Sequence, residues 1–360
     1  MAVSSVYDFL IQWHLTERCN LSCMHCYQEG SRNKELSIEE VRSGLDELGD
    51  MFSSWSESHS LNITPSFNIT GGEPLLRNDL FEVLGVLADR RWAVFVLTNG
   101  TLIDAAKARR IAELGVRGVQ ISLEGPEAVH DMLRGTGSYR ASLAGIRALL
   151  DAGVEVTVNT TLSELNAGAF FELAETAARL GVQRLGFSRL VPAGRGGSLT
   201  DRMLAPDTML SLFQRIHALH YDRMKLVTGD PVAACMRAAD DGFDDQGDVP
   251  IGGCAAGVSG LTIMSDGTIV PCRRLPLPLG NIRTDSLREI WSASPLLDAL
   301  RSRSSYPGAC GTCGRWATCR GCRAIAFAAS QLAGHASALA DDPQCPFAEQ
   351  SNTRLKETLL

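Results

Sequence analysis

The sequence predicts an α/β protein: an open or partial (β/α)6 barrel followed by a smaller Cys-rich domain. Short β-rich runs alternate with amphipathic helical stretches as far as about residue 190. At 360 residues the chain exceeds what one ordinary domain usually holds. Its eleven cysteines are clustered, with three between positions 19 and 26 and seven between 254 and 345.

The strand candidates, in order, are 9–15, 66–70, 93–97, 118–123, 154–160 and 184–190. Helices fit between them. Ser37 with Glu40 forms a capping box, Asn78 is placed to cap a helix running through Arg90, and Gly153 sits where a glycine ends a helix over 139–152. Ligands in such folds bind beyond the carboxyl ends of the strands. Residues 201–230 read as a helical connector, and the acidic, Gly-containing stretch 239–250 as a flexible link. Short strands follow at 260–264 and 268–270, then a helix at 286–302. The expected domains are therefore 1–230 (barrel plus connector), 231–252 (linker), 253–350 (Cys-rich domain) and 351–360 (tail).

The charge is mildly acidic, with 34 basic against 41 acidic residues, and no basic block marks a phosphate-backbone binder. Nucleic acid is not the expected partner. No run of 18 or more apolar residues occurs and the N-terminus lacks signal-peptide character, so no membrane association and a cytoplasmic location are expected. Cytosolic thiols stay reduced. Metal ligation is the better account of so many cysteines.

Cys19, Cys23 and Cys26 give C-x3-C-x2-C directly after the first strand, so one loop presents three thiolates at the strand's carboxyl end. Iron-sulfur cubanes normally take four cysteines, which leaves one iron open, whereas a structural zinc site wants four protein ligands. The motif resembles the signature of the radical S-adenosylmethionine (SAM) superfamily, with His25 at the variable aromatic-type position, and it implies a partial TIM-like barrel. The resemblance implies that SAM chelates the open iron and is cleaved to methionine and a 5'-deoxyadenosyl radical that abstracts hydrogen. Gly71-Gly72-Glu73-Pro74 after the second strand is similar to the family segment that receives the SAM amino group. Asn99 in Thr98-Asn99-Gly100, and Ser122 and Glu124 after the fourth strand, resemble its ribose and carboxylate contacts. Arg134 resembles an arginine that reaches the SAM carboxylate. The segment 191–196 resembles one that packs near adenine.

Cys254, Gly267 and Cys272, then Cys310-x2-Cys313-x5-Cys319-x2-Cys322 and Cys345, resemble the SPASM domain, which usually binds two auxiliary 4Fe-4S clusters. The departure is the x2 spacing before Cys322, where many relatives have x3. The resemblance implies Cys254, Cys272 and Cys322 for the first auxiliary cluster and Cys310, Cys313, Cys319 and Cys345 for the second. It thus implies three 4Fe-4S clusters in all. Cys235 is left over: it either completes the first auxiliary set or is a buried small hydrophobe. Paired C-x2-C units also make zinc ribbons. Arg273 and Arg274, after Cys272, are placed either to bind a substrate carboxylate or to offset cluster charge. Sulfatase-maturing relatives carry an aspartate near this position.

Family association implies modification of a ribosomally made peptide, such as a carbon-carbon or thioether crosslink, with a flavodoxin- or ferredoxin-type electron donor. Barely a dozen residues precede the first cysteine loop, so a peptide is expected to need a separate recognition protein or a sheet edge for docking. The alternative, from Cys319-Arg-Gly-Cys322-Arg-Ala, resembles enzymes that trim haem-precursor side chains or mature metal cofactors. A non-catalytic iron-sulfur electron carrier is the reading outside enzymology, and the SAM-site loops argue against it. No residue is assigned to the substrate chemistry itself.

Overall fold

The computed structural model describes residues 6–28, 30, 34–240 and 247–348. The alternating series runs β1 (Val6–His14), α1 (Ile38–His59), β2 (Asn62–Thr70), α2 (Leu80–Asp89), β3 (Ala93–Thr98), α3 (Ala105–Glu113), β4 (Gly118–Ser122), α4 (Glu127–Arg134), α5 (Ser138–Asp151), β5 (Val156–Leu162), α6 (Phe170–Leu180) and β6 (Arg184–Arg189). These six strands pair in parallel in chain order, so helices make each crossover and the arrangement is a partial TIM-like barrel. Buried Phe9, Ile11, Phe67, Ile69, Val94, Val96, Val119 and Ile121 fill the space between sheet and helices.

Local chemistry explains the element ends. The Ser37–Glu40 capping box forms at the start of α1, and Gly153, at φ +76°, closes α5 in the left-handed conformation. Asn78 does not cap α2. Asp79 holds that position without a side-chain cap bond, because Arg77 takes both of its carboxylate oxygens at 2.6 and 2.9 Å. β2 starts four residues earlier than its sequence suggests. Asn62 through Pro65 pair only with β1, since β3 joins at Ser66, so Pro65 sits where no second neighbour asks for its missing N–H.

Three expectations past residue 190 need correction. The connector contains α7 (Pro206–His217) but also a four-residue strand, β7 (Lys225–Thr228), parallel to β6. The segment expected to be a linker begins with a helix, α8 (Pro231–Asp240); positions 241–246, and the tail 351–360, lie outside the described residues. The expected helix over 286–302 is broken in two, α9 (Leu287–Ala293) and α10 (Pro295–Arg301). Pro295 has no N–H to continue α9, and Ser294 ends one helix and caps the next.

The Cys-rich region contributes β8 (Gly260–Ile263), β9 (Thr268–Val270) and β10 (Gly280–Asn281), followed after α10 by α11 (Ala309–Thr312) and α12 (Arg323–Leu332). β8 pairs in parallel with β1, from Leu10↔Gly260 to Trp13↔Ile263. One ten-stranded sheet therefore runs through both regions, in the order β10-β9-β8-β1-β2-β3-β4-β5-β6-β7. Trp291 of α9 packs edge-on to Phe9 of β1 at 4.8 Å, adding an aromatic seam between them. Among the described residues no helix is long and apolar enough to cross a membrane.

Candidate SAM and iron-sulfur sites

The loop after β1 carries Cys19, Cys23 and Cys26 into one cavity at the carboxyl ends of the strands, together with Gly71, Gly72, Asn99, Ser122, Arg134 and His25. Backbone bonds fix that loop. The Gly72 and Glu73 amides donate to the carbonyls of Thr16 and Arg18 at 2.7 and 2.8 Å. A Cβ on Gly71 or Gly72 would overlap those same carbonyls, which is why two glycines stand here. On the other side, the Gly196 amide donates to the Cys26 carbonyl at 3.0 Å and Arg195 Nε to the Cys23 carbonyl at 3.0 Å.

Glu73 and Pro74 are not on the cavity wall. Glu73 is fully buried behind it, where its carboxylate accepts Thr98 Oγ1 at 2.7 and 2.8 Å, the Asn99 amide at 2.8 Å and the Leu75 amide at 3.1 Å. Burial raises its pKa against those bonds. Its work is to set the turn that presents Asn99, whose Nδ2 lies 4.0 Å from Cys19 Sγ.

Glu124 stands behind the wall in the same way. It accepts Arg134 at 2.6 and 2.8 Å, Thr160 Oγ1 at 3.0 Å and the Thr161 amide at 2.9 Å, and it faces His25 Nε2 at 3.2 Å. Burial alone would raise its pKa, but the Arg134 charge and His25 hold it well below the usual carboxylate range. Arg134, so anchored, points Nη1 at Cys23 Sγ, 3.9 Å away. His130, buried and held down to about 4 first by burial and then by Arg134, accepts the Glu124 amide on Nδ1 at 3.3 Å.

Sequence reasoning did not single out Tyr27, Gln28 or His14. His14 is fully buried and held neutral, its pKa lowered to about 3 by burial and Arg273. Gln28 Nε2 donates to its Nδ1 at 3.2 Å, and Tyr27 Oη lies 3.4 Å from Nε2. Burial pushes the Tyr27 phenol up to about 12 against Arg273. Adjacency to Cys26 was the only sequence signal for this pair.

In the Cys-rich region, Cys310, Cys313, Cys319 and Cys345 line a second cavity beside Trp316. Cys322 and Cys272 act electrostatically on the buried Arg274, and Cys254 acts on Cys322. Burial pushes the thiols of Cys310 and Cys322 up to about 12 and that of Cys345 up to about 11. Cys235 is buried against Cys319, with Arg315 Nη1 at 3.9 Å and Thr318 Oγ1 at 4.0 Å. Its nearest cysteine thus belongs to the second expected set rather than the first.

These residues fit iron-sulfur clusters and SAM. Three thiols share a cavity with a buried, unpartnered His25 Nδ1, and buried thiols of high pKa become thiolates only when a cation pays for desolvation. Among the described residues no three His, Cys, Asp or Glu side chains converge on one metal ion, so the thiols ring cavities rather than meet at a point.

Comparison with known proteins agrees with this geometry. Residues 13–177 match the family model of the radical SAM superfamily, and residues 254–323 match SPASM, an iron-sulfur cluster-binding domain. The chain belongs to the radical SAM superfamily, is an enzyme of that class, and has 4Fe-4S clusters and SAM as its cofactors. It is 30% identical to an AdoMet-dependent heme synthase of Nitratidesulfovibrio vulgaris over 94% of this chain and 92% of that protein. It is also 30% identical to the mycofactocin maturase MftC of Mycobacterium tuberculosis, over 88% and 78% of the two chains. The structure of Streptococcus suis SuiB bound to its precursor peptide SuiA superposes with a TM-score of 0.73, at 16% identity, over 94% of this chain and 76% of that one.

Proposed function

We propose that this enzyme trims carboxylate-bearing side chains of a haem precursor, the reading that stood second in the sequence. The observation that carries it is the similarity, over 94% of the chain, to a protein named as a heme synthase. In this reading Cys19, Cys23 and Cys26 hold the cluster that binds SAM. Cys254, Cys272 and Cys322 hold the first auxiliary cluster, and Cys310, Cys313, Cys319 and Cys345 the second.

With clusters and SAM bound, the site supplies one hydrogen-abstracting 5'-deoxyadenosyl radical and a path for one electron. The chain's own residues position. Glu124 holds Arg134, Glu73 holds the Asn99 turn, and the two glycines keep the cysteine loop against β2. A propionate that loses one hydrogen atom to the 5'-deoxyadenosyl radical, its carboxyl group as carbon dioxide and one electron becomes a vinyl group; that electron would leave through an auxiliary cluster to an external one-electron acceptor, such as the oxidised form of the electron-donor protein. A flavodoxin- or ferredoxin-type protein would deliver the initiating electron.

The similarity to a mycofactocin maturase favours a peptide substrate as the second reading. One anaerobic experiment separates them. The reconstituted enzyme is incubated with SAM, a reductant and iron-coproporphyrin III, and 5'-deoxyadenosine and porphyrin mass are followed together. The expected result is 5'-deoxyadenosine release stimulated by the porphyrin, with loss of carbon dioxide and two hydrogens per side chain. Porphyrin mass unchanged, with no stimulation, would return the peptide reading to first place. The same preparation should hold about twelve irons, falling to about eight when Cys19→Ala, Cys23→Ala and Cys26→Ala are combined.

A further inference from the structure

A cavity of about 820 Å³ lies beside the SAM cavity, within the size range of small-molecule sites. The two share Tyr27, Gln28, Arg273 and Arg274 on their walls. A substrate in the larger chamber therefore meets the SAM site across this boundary. Much of the chamber is apolar, with Met264, Val270, Pro276 and Phe327 among its walls. The acids among its described wall residues are already engaged: Glu17 accepts Gln28 Nε2 at 3.1 Å, and Asp266 accepts the Thr268 amide at 3.0 Å.

Among the described residues, Arg273 and Arg274 are the cations that line the chamber. Leu275 N donates to the Cys272 carbonyl at 2.8 Å, closing a tight turn that places Arg273 and Arg274 at its two central positions. They are not equivalent. Arg274 has its Nε buried and unpartnered, and its charge is answered by Asp230. Arg273 lies with its guanidinium 5.6 Å over the Tyr27 ring, and it makes no ion pair or hydrogen bond to any described residue. A partly enclosed cation with no ion-paired anion among the described residues is set up to receive one.

We propose that Arg273 anchors a carboxylate of the substrate, binding both oxygens on the wall shared by the chamber and the SAM cavity. This rests on the haem-precursor reading and adds a specificity residue to it. The planar guanidinium fork matches a carboxylate, and the Tyr27 ring lies 5.6 Å beneath it. The apolar walls accept the macrocycle. The anchored edge then decides which side chain of the macrocycle faces the SAM site.

The test is equilibrium binding to the reconstituted holoenzyme, kept anaerobic, with metal-free coproporphyrin III and its tetramethyl ester as probes and absorbance or fluorescence as the readout. Wild type should prefer the tetra-acid to the ester. Arg273→Ala should bind the acid roughly 10- to 100-fold more weakly and the ester as before, a loss in the range of one charged hydrogen-bonded pair. Arg273→Lys, which keeps charge without the fork, should recover part of the preference. Iron and sulfide contents are measured on each variant, and Arg273→Gln, which keeps the stem, must repeat the loss with clusters intact. A cluster-replete Gln variant that keeps wild-type acid preference overturns the anchor and leaves the haem-precursor reading standing. Failure of wild type to bind either porphyrin overturns both.

Discussion

Glu124 illustrates how a single buried carboxylate organises a site from behind the cavity wall. Its oxygens meet Arg134, His25, Thr160 and the Thr161 amide, so β4, β5, α4 and the cysteine loop are tied at one point. Glu124→Gln keeps the size and removes the charge. It should weaken SAM binding by roughly tenfold, the cost of a lost charge-assisted pair at Arg134, as read by equilibrium dialysis with the clustered protein. Because its folded pKa is depressed, the carboxylate stays charged down through the ordinary carboxylate range. SAM affinity should therefore show no Glu124 titration between about pH 6 and 9. The cysteines and the strand-end motifs were legible in the sequence because their spacing reports the loop that carries them. The side-chain directions of Glu73 and Glu124 were not, since a carboxylate at a strand end reads the same whether it faces a ligand or the neighbouring loop.

Most elements of the barrel were legible from alternation of apolar runs and caps, which are local signals. β7 and the β1–β8 pairing were not. A four-residue edge strand carries too little periodicity to stand out, and pairing between residues some 250 positions apart leaves no mark in either segment. Gly260 is the residue that the long-range pairing demands, because a Cβ there would overlap the Leu10 carbonyl oxygen in the adjoining strand. Gly260→Ala should therefore destabilise the joined sheet by about 1–3 kcal/mol, the usual cost of overpacking. Urea unfolding followed by far-UV circular dichroism checks it. A midpoint equal to wild type would mean that β8 shifts register freely and that the two regions are coupled elsewhere.

Across the whole molecule, that coupling has a second, ionic part. Arg189, at the end of β6, is fully buried and bonds Asp230 at 2.7 Å and Asp342 at 2.8 and 3.0 Å, while Asp342 also accepts the Cys322 amide at 2.8 Å. Barrel, α8 and the Cys345 segment thus converge on one guanidinium, which also lines the SAM cavity. Removing one member leaves a buried charge poorly matched, so Asp342→Ala should cost about 3–5 kcal/mol and release auxiliary-site iron at lower denaturant than wild type does. The pH dependence identifies the ionic contribution. Burial would raise the Asp342 pKa, but Arg189 holds it below the usual value, so its stabilisation is fully present above the unfolded carboxylate pKa of about 3.9 and is lost as pH falls through the folded value. The gap between wild type and Asp342→Ala should then stay constant from about pH 8 to pH 5 and close only in stronger acid. A gap that instead changes near neutrality would assign the coupling to a group other than this carboxylate.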